Sequence, residues 1–273
     1  MFNPAGSQKN TLLIGAAALV LAAACAAAVP SAEDAATELL PGVEQFNAAY
    51  LAWDLAGFQS AAAVFEKACA AHPDSPAAHY WLGAARFHVF LHRHQDAANP
   101  PKRDEFKELA LGAEAPLQQA VALDGTDSES HALLATLYGI QISRSPWRSL
   151  ALGKKVSAHS REAMKHGPGN PRCYFLLGTG HFNAPGIWGK PEKALDFFLK
   201  AEGLFREEAK SDRPPLAPAW GRGACLTFAA MACQRMGRER EAADCFRRAL
   251  EVNPLDRRAR AGLDAADGTG ERK

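Results

Sequence analysis

The chain has 273 residues, 48% of them hydrophobic and 8% aromatic, with a formal net charge of +1. That is enough apolar material for a sizeable core and sets aside intrinsic disorder. So neutral a balance supplies no overall field to draw nucleic acid or an anionic membrane, and no nucleic-acid partner is expected.

Much of the apolar content is alanine, which favours closely packed helices, and few Val/Ile/Thr runs read as strands. Lys9 precedes an apolar stretch from Thr11 to Ala24, and small residues follow to Ala32. This is the layout of a secretory signal peptide, with a retained membrane anchor as the alternative if the apolar run extends to Val29. Cys25, in Leu21-Ala22-Ala23-Ala24-Cys25, resembles the lipobox of bacterial lipoproteins, with the leucine one place further from the cysteine than the usual pattern. Two outcomes stay open: acylation of Cys25, or ordinary cleavage after Ala28 or Ala32. Residues 1–25 are therefore read as a signal peptide or lipoprotein signal, and 26–41 as a linker.

From Gly42 the apolar residues take helical spacing. Phe46, Ala49, Tyr50 and Trp53 form a first helix, Gly57 is read as the break, and Ala61-x3-Phe65-x2-Ala68-x4-Pro73 forms a second. A second unit starts at Pro76, with Trp81, Leu82 and Gly83, then an insertion holding His94, Asn99, Pro100 and Pro101, then Ala113, Leu117 and Ala120. The third carries Leu134, Ala135 and Tyr138, a loop through Ser145-Pro146-Trp147, then Val156 and Ala163. Asn170-Pro171-Arg172 opens the fourth, with Leu177-Gly178, a turn-rich loop from Asn183 to Pro191 that contains Trp188, and Ala194, Phe198 and Ala201. The fifth runs from Trp220-Gly221 through Leu226, Ala229 and Gly237 to Ala242-x3-Phe246-x2-Ala249-x4-Pro254. Residues 257–273 read as a charged, frayed tail.

The Leu-Gly pairs and the Ala-x3-Phe-x2-Ala…Pro pattern resemble the tetratricopeptide repeat, a helical hairpin with a period of about 34 residues. The resemblance implies an all-α solenoid of about five helical hairpins with insertions over residues 42–256. The stretch from Lys154 to Trp220 is also similar to a group of exported bacterial tetratricopeptide proteins of undefined activity. In the resembled family, partners lie in the concave groove lined by the first helix of each pair. Carried onto this chain, that groove comprises Tyr80, Phe87 and His88, then Arg172, Phe175 and Phe182, then Gln234 and Arg235, with the two arginines as carboxylate or peptide clamps, while Phe87, Phe175 and Phe182 have burial in the core as their alternative, since one apolar face of each repeat helix must be covered. Trp188 is a further contact candidate.

Catalytic chemistry finds little footing. His88 and His92 share a helix face, with Asp96 further along the same line, but no HExxH glutamate stands beside them, so a structural or exposed histidine cluster is preferred over metal. Gly178-Thr179-Gly180 does not follow a strand, and no two cysteines are spaced as CxxC. No cofactor is expected. The leading expectation is an exported, periplasmic or lipid-anchored scaffold that binds a protein or peptide without enzymatic activity. The alternative is a periplasmic small-ligand or metal-binding lipoprotein similar to the T-component of tripartite transporters.

Overall fold

The computed structural model describes residues 32–184 and 189–270, so Cys25 and Trp188 lie outside the described residues. Among the described residues, eleven α-helices and a 3-10 turn account for the regular structure and no strand occurs. Five antiparallel pairs follow one another: α1 (Ala32–Ala52) with α2 (Leu55–Ala71), α3 (Pro76–Gln95) with α4 (Arg103–Leu123), α5 (Ser128–Arg144) with α6 (Ser149–His166), α7 (Pro171–Asn183) with α8 (Pro191–Glu208), and α9 (Arg222–Arg235) with α10 (Glu239–Val252). A last helix, α11 (Arg257–Gly270), covers the fifth pair.

The small residues of the repeat pattern have a direct steric cause. A Cβ on Gly83 would lie 2.6 Å from the Leu117 side chain, and one on Gly178 would lie 2.6 Å from the Phe198 ring. In each case the glycine of the first helix receives the large side chain of the second, which lets the two axes approach. Helix starts are equally local. Ser75 and Asn170 cap α3 and α7 by accepting backbone N–H bonds, and Pro76 and Pro171 occupy the first helical position, where no donor is missed.

Successive first helices touch one another (α1 to α3, α3 to α5, α5 to α7, α7 to α9), while consecutive second helices do not come as close. The first helices therefore form the inner, concave layer and the second helices fan out on the convex side. Curvature brings distant parts together: Asn253 Nδ2 donates to the Leu51 carbonyl at 3.0 Å, and Arg258 Nη2 donates to Gln95 Oε1 at 3.1 Å.

Three boundaries differ from the sequence reading. Residues 32–41 belong to α1 rather than to a linker; Leu39 is wholly buried, and Pro41 is accommodated inside the helix. The first turn falls at Trp53, which has φ of 52°, and Asp54, whose carboxylate caps α2; Gly57 lies inside α2. Residues 257–270 form α11, where Asp256 accepts from the Arg258 and Ala259 amides and Ala259 is fully buried. The arginines of that segment supply the polar outer face that a terminal repeat helix requires.

Candidate functional site

The inner layer divides into two ends. At the N-terminal ends of α3, α5 and α7, buried polar groups converge on Glu129. Tyr80 Oη donates to Glu129 Oε2 at 2.6 Å, Asn170 Nδ2 donates to Oε1 at 2.9 Å, and Arg172 Nε donates to Oε1 at 2.7 Å. Arg172 spends the rest of its fork on Glu208, with Nη2 at 2.9 and 3.0 Å from the two carboxylate oxygens, and on the Trp220 carbonyl, with Nη1 at 3.3 Å. Burial opposes the charge on Arg172, but Glu129 and Glu208 overcome it and hold the guanidinium more firmly protonated than usual. Burial, followed by the charge of Glu129, pushes Tyr80 well above the ordinary tyrosine range, so its hydroxyl remains a donor.

Trp220 closes this end. Its Nε1–H donates to Tyr80 Oη at 3.2 Å, and its ring lies 5.9 Å from Tyr50 and 5.3 Å from His88 between centroids. The segment before α9 thus reaches across the solenoid to the first two pairs. His88 sits among Phe46, Tyr50, Trp53, Phe58, Phe87 and Trp220, and its Nδ1 pairs with the Ala84 carbonyl at 2.7 Å. Burial pushes its pKa down to about 4, so the ring is neutral at physiological pH.

The other end lies at the C-termini of α7 and α9. Arg235 is exposed, with its guanidinium carbon 3.5 Å from the centroid of the buried Phe182 ring and Nη1 donating to the Phe182 carbonyl. It forms no salt bridge to a carboxylate among the described residues. Gln234 beside it is half-buried.

The contact candidates are thus distributed unevenly. Tyr80, His88 and Arg172 meet around Trp220, Phe87 lies in the core against His88, Phe175 is buried against Phe198 and Phe228, and Phe182 pairs with Arg235. Arg172, expected as a clamp for a partner's carboxylate, clamps two carboxylates of its own chain. The residues that do this, Glu129, Glu208 and Trp220, were not singled out from sequence. Their nearest cue was Arg172 itself, a charge placed on an inner helix face.

No group of three or more His, Cys, Asp or Glu side chains among the described residues is placed to hold a metal. His88 and His92 both lie against Trp53, with ring centroids 6.1 and 6.0 Å away. The five described cysteines are unbridged, and burial pushes all of them upward, to about 11 at Cys69 and Cys233 and about 12 at Cys173, which leaves poor nucleophiles.

The tetratricopeptide-repeat family model matches residues 224–254, which span most of α9 and all of α10. Among solved structures, a thermophilic tetratricopeptide-repeat protein from Thermus thermophilus is similar, with a TM-score of 0.60 and 18% identity over 85% of this chain and 98% of that one. A haemophore from Porphyromonas gingivalis is similar at a TM-score of 0.58 and 22% identity, over 73% of this chain and 93% of that one. No curated protein matches the chain.

Proposed function

Since the chain is a tetratricopeptide-repeat protein, a helical scaffold of the kind that typically mediates protein–protein contact, we propose that it is an exported, non-enzymatic scaffold. It binds a protein or peptide at the end of its concave layer formed by the C-termini of α7 and α9, around Phe182, Gln234 and Arg235. The observation that carries this reading is Arg235: an exposed side chain on the inner layer, braced on an aromatic ring and without a carboxylate partner among the described residues. Such a group is preorganised to receive a partner's acidic side chain or C-terminus. The titratable groups of the closed end, by contrast, are used up in holding helices together.

The test is a photoreactive residue placed at Gln234 in living cells, against the same probe at Lys107 on the convex helix α4. The reading expects a discrete adduct at position 234 that is lost when Arg235→Ala is added, and none at 107. Adducts at 107 alone, or at neither position, overturn it. Export rests on the N-terminal layout; mass spectrometry of the mature protein distinguishes an acyl group on Cys25 from cleavage at Ala28 or Ala32.

A second reading, a small-ligand or metal carrier, has one observation in its favour: His88 and Arg172 both turn into the closed interior, against Trp220. The indole fills the space between them, so carriage requires it to move. Haemin is the first probe, because one of the similar structures is a haemophore. Binding by Trp220→Ala above that of the parent chain supports the carrier, and equal absence of binding removes it.

A further inference from the structure

The helix α6 differs from every other second helix. It lies along α5 and barely meets α7, and only Leu152 and Ala163 of its eighteen residues are buried. Its attached face is fixed by those two residues, by the His131–His159 contact of 2.8 Å between Nδ1 atoms, and by Lys155 Nζ at 3.3 Å from Glu114. Helical spacing then places Leu150, Lys154, Ser157, Ala158 and Arg161 on the opposite face, and all of them are exposed.

Two features of that face go together. Trp147, on the 3-10 turn Pro146–Arg148, and Leu150 are 78% and 82% exposed, more than any other large apolar side chain among the described residues. Between Ser145 and Asn170 the chain carries Arg148, Lys154, Lys155, Arg161 and Lys165 against one carboxylate, Glu162. Lys155 and Lys165 are paired, whereas Lys154 and Arg161 form no salt bridge among the described residues. The chain's near-zero net charge conceals this local excess.

We propose that the outer face of α6 is a docking surface for an anionic lipid bilayer, with the Trp147 and Leu150 side chains in the interface and Arg148, Lys154 and Arg161 over the headgroups. The charge is complementary to acidic lipid. Paired tryptophan and leucine at one end of a basic helix face are the composition of an interfacial helix. The shape agrees as well. The face lies on the convex side of the solenoid, and the depression along it is lined by α6 alone, from Ser149 to Arg161, with no second wall to grip a peptide.

Hydroxyl-radical footprinting of the full chain tests this, because it reports on Trp147 itself whatever residues 1–31 do. With phosphatidylglycerol vesicles, Trp147 oxidation is expected to fall about threefold or more, with no change on phosphatidylcholine. Protection is expected to vanish in K154E/R161E, checked for folding by its urea midpoint, and also for the parent chain in about 1 M salt, where the screening length is about 3 Å. An unprotected Trp147, or equal protection by both lipids, overturns the proposal. So does protection by polyglutamate without vesicles, which would assign the face to an acidic protein segment.

Discussion

Arg172 and Arg235 stand on the same inner layer of helices, and their sequence settings suggest the same role. At the closed end, Glu129 and Glu208 take every strong bond that Arg172 can offer, and Trp220 seals it from the groove. At the other end, Arg235 has a ring beneath it and no acid paired with it among the described residues. The same residue type is structural where the chain provides the carboxylate, and available for recognition where it does not.

The largest way to break this contrast is to remove the acid at its centre. Glu129→Ala leaves the buried Arg172 and Tyr80 and the half-buried Asn170 without their common acceptor, with an expected loss of about 3–5 kcal/mol in urea unfolding. The next effect is acid sensitivity. Below pH 6.5 the unfolded chain takes up a proton that folded His88 refuses until about pH 4. Its contribution is therefore fully present at neutral pH and is lost as pH falls across that window, by about 3 kcal/mol at its lower end. Comparing urea midpoints at neutral pH and near pH 4 checks this: His88→Phe, which suits the aromatic surroundings, is expected to flatten that part of the pH dependence.

Smaller effects follow outside the closed end. Gly178→Ala forces a methyl against Phe198 and is expected to cost about 1–3 kcal/mol, read as a lower midpoint with an unchanged denaturant slope. The double change Trp147→Ser and Leu150→Ser, on the outer face of α6, is expected to leave stability within about 0.5 kcal/mol. A larger loss there would mean that α6 relies on those side chains for its packing.

The repeat architecture was legible in the sequence because its determinants are local. Gly83 and Gly178 mark the close approaches, Ala61, Phe65 and Ala68 the buried stripe, and Asn170-Pro171 the helix start, all within one hairpin. The closed end was not legible, because it depends on curvature accumulated over several hairpins. Trp220 meets Tyr80 across 140 positions, and Arg172 meets Glu129 across 43, separations that no helical period encodes. Pro41 was misleading in the opposite way: a usual helix breaker is tolerated inside α1, where Leu39, Val43 and Phe46 continue the buried stripe. Net charge misled as well, since the basic excess on α6 is cancelled elsewhere in the chain.

The contrast between the two arginines is tested most directly by measuring the urea unfolding free energies of Arg172→Ala and Arg235→Ala side by side. The expected result is a loss of about 3–5 kcal/mol for Arg172→Ala, which leaves the buried Glu129 without its cation while Glu208 keeps Arg213, and about 1 kcal/mol for Arg235→Ala, which gives up a ring contact and a hydrogen bond to the Phe182 carbonyl at an exposed side chain. Equal losses, or a larger loss at Arg235, would contradict the division of the inner layer into a closed structural end and a recognition end.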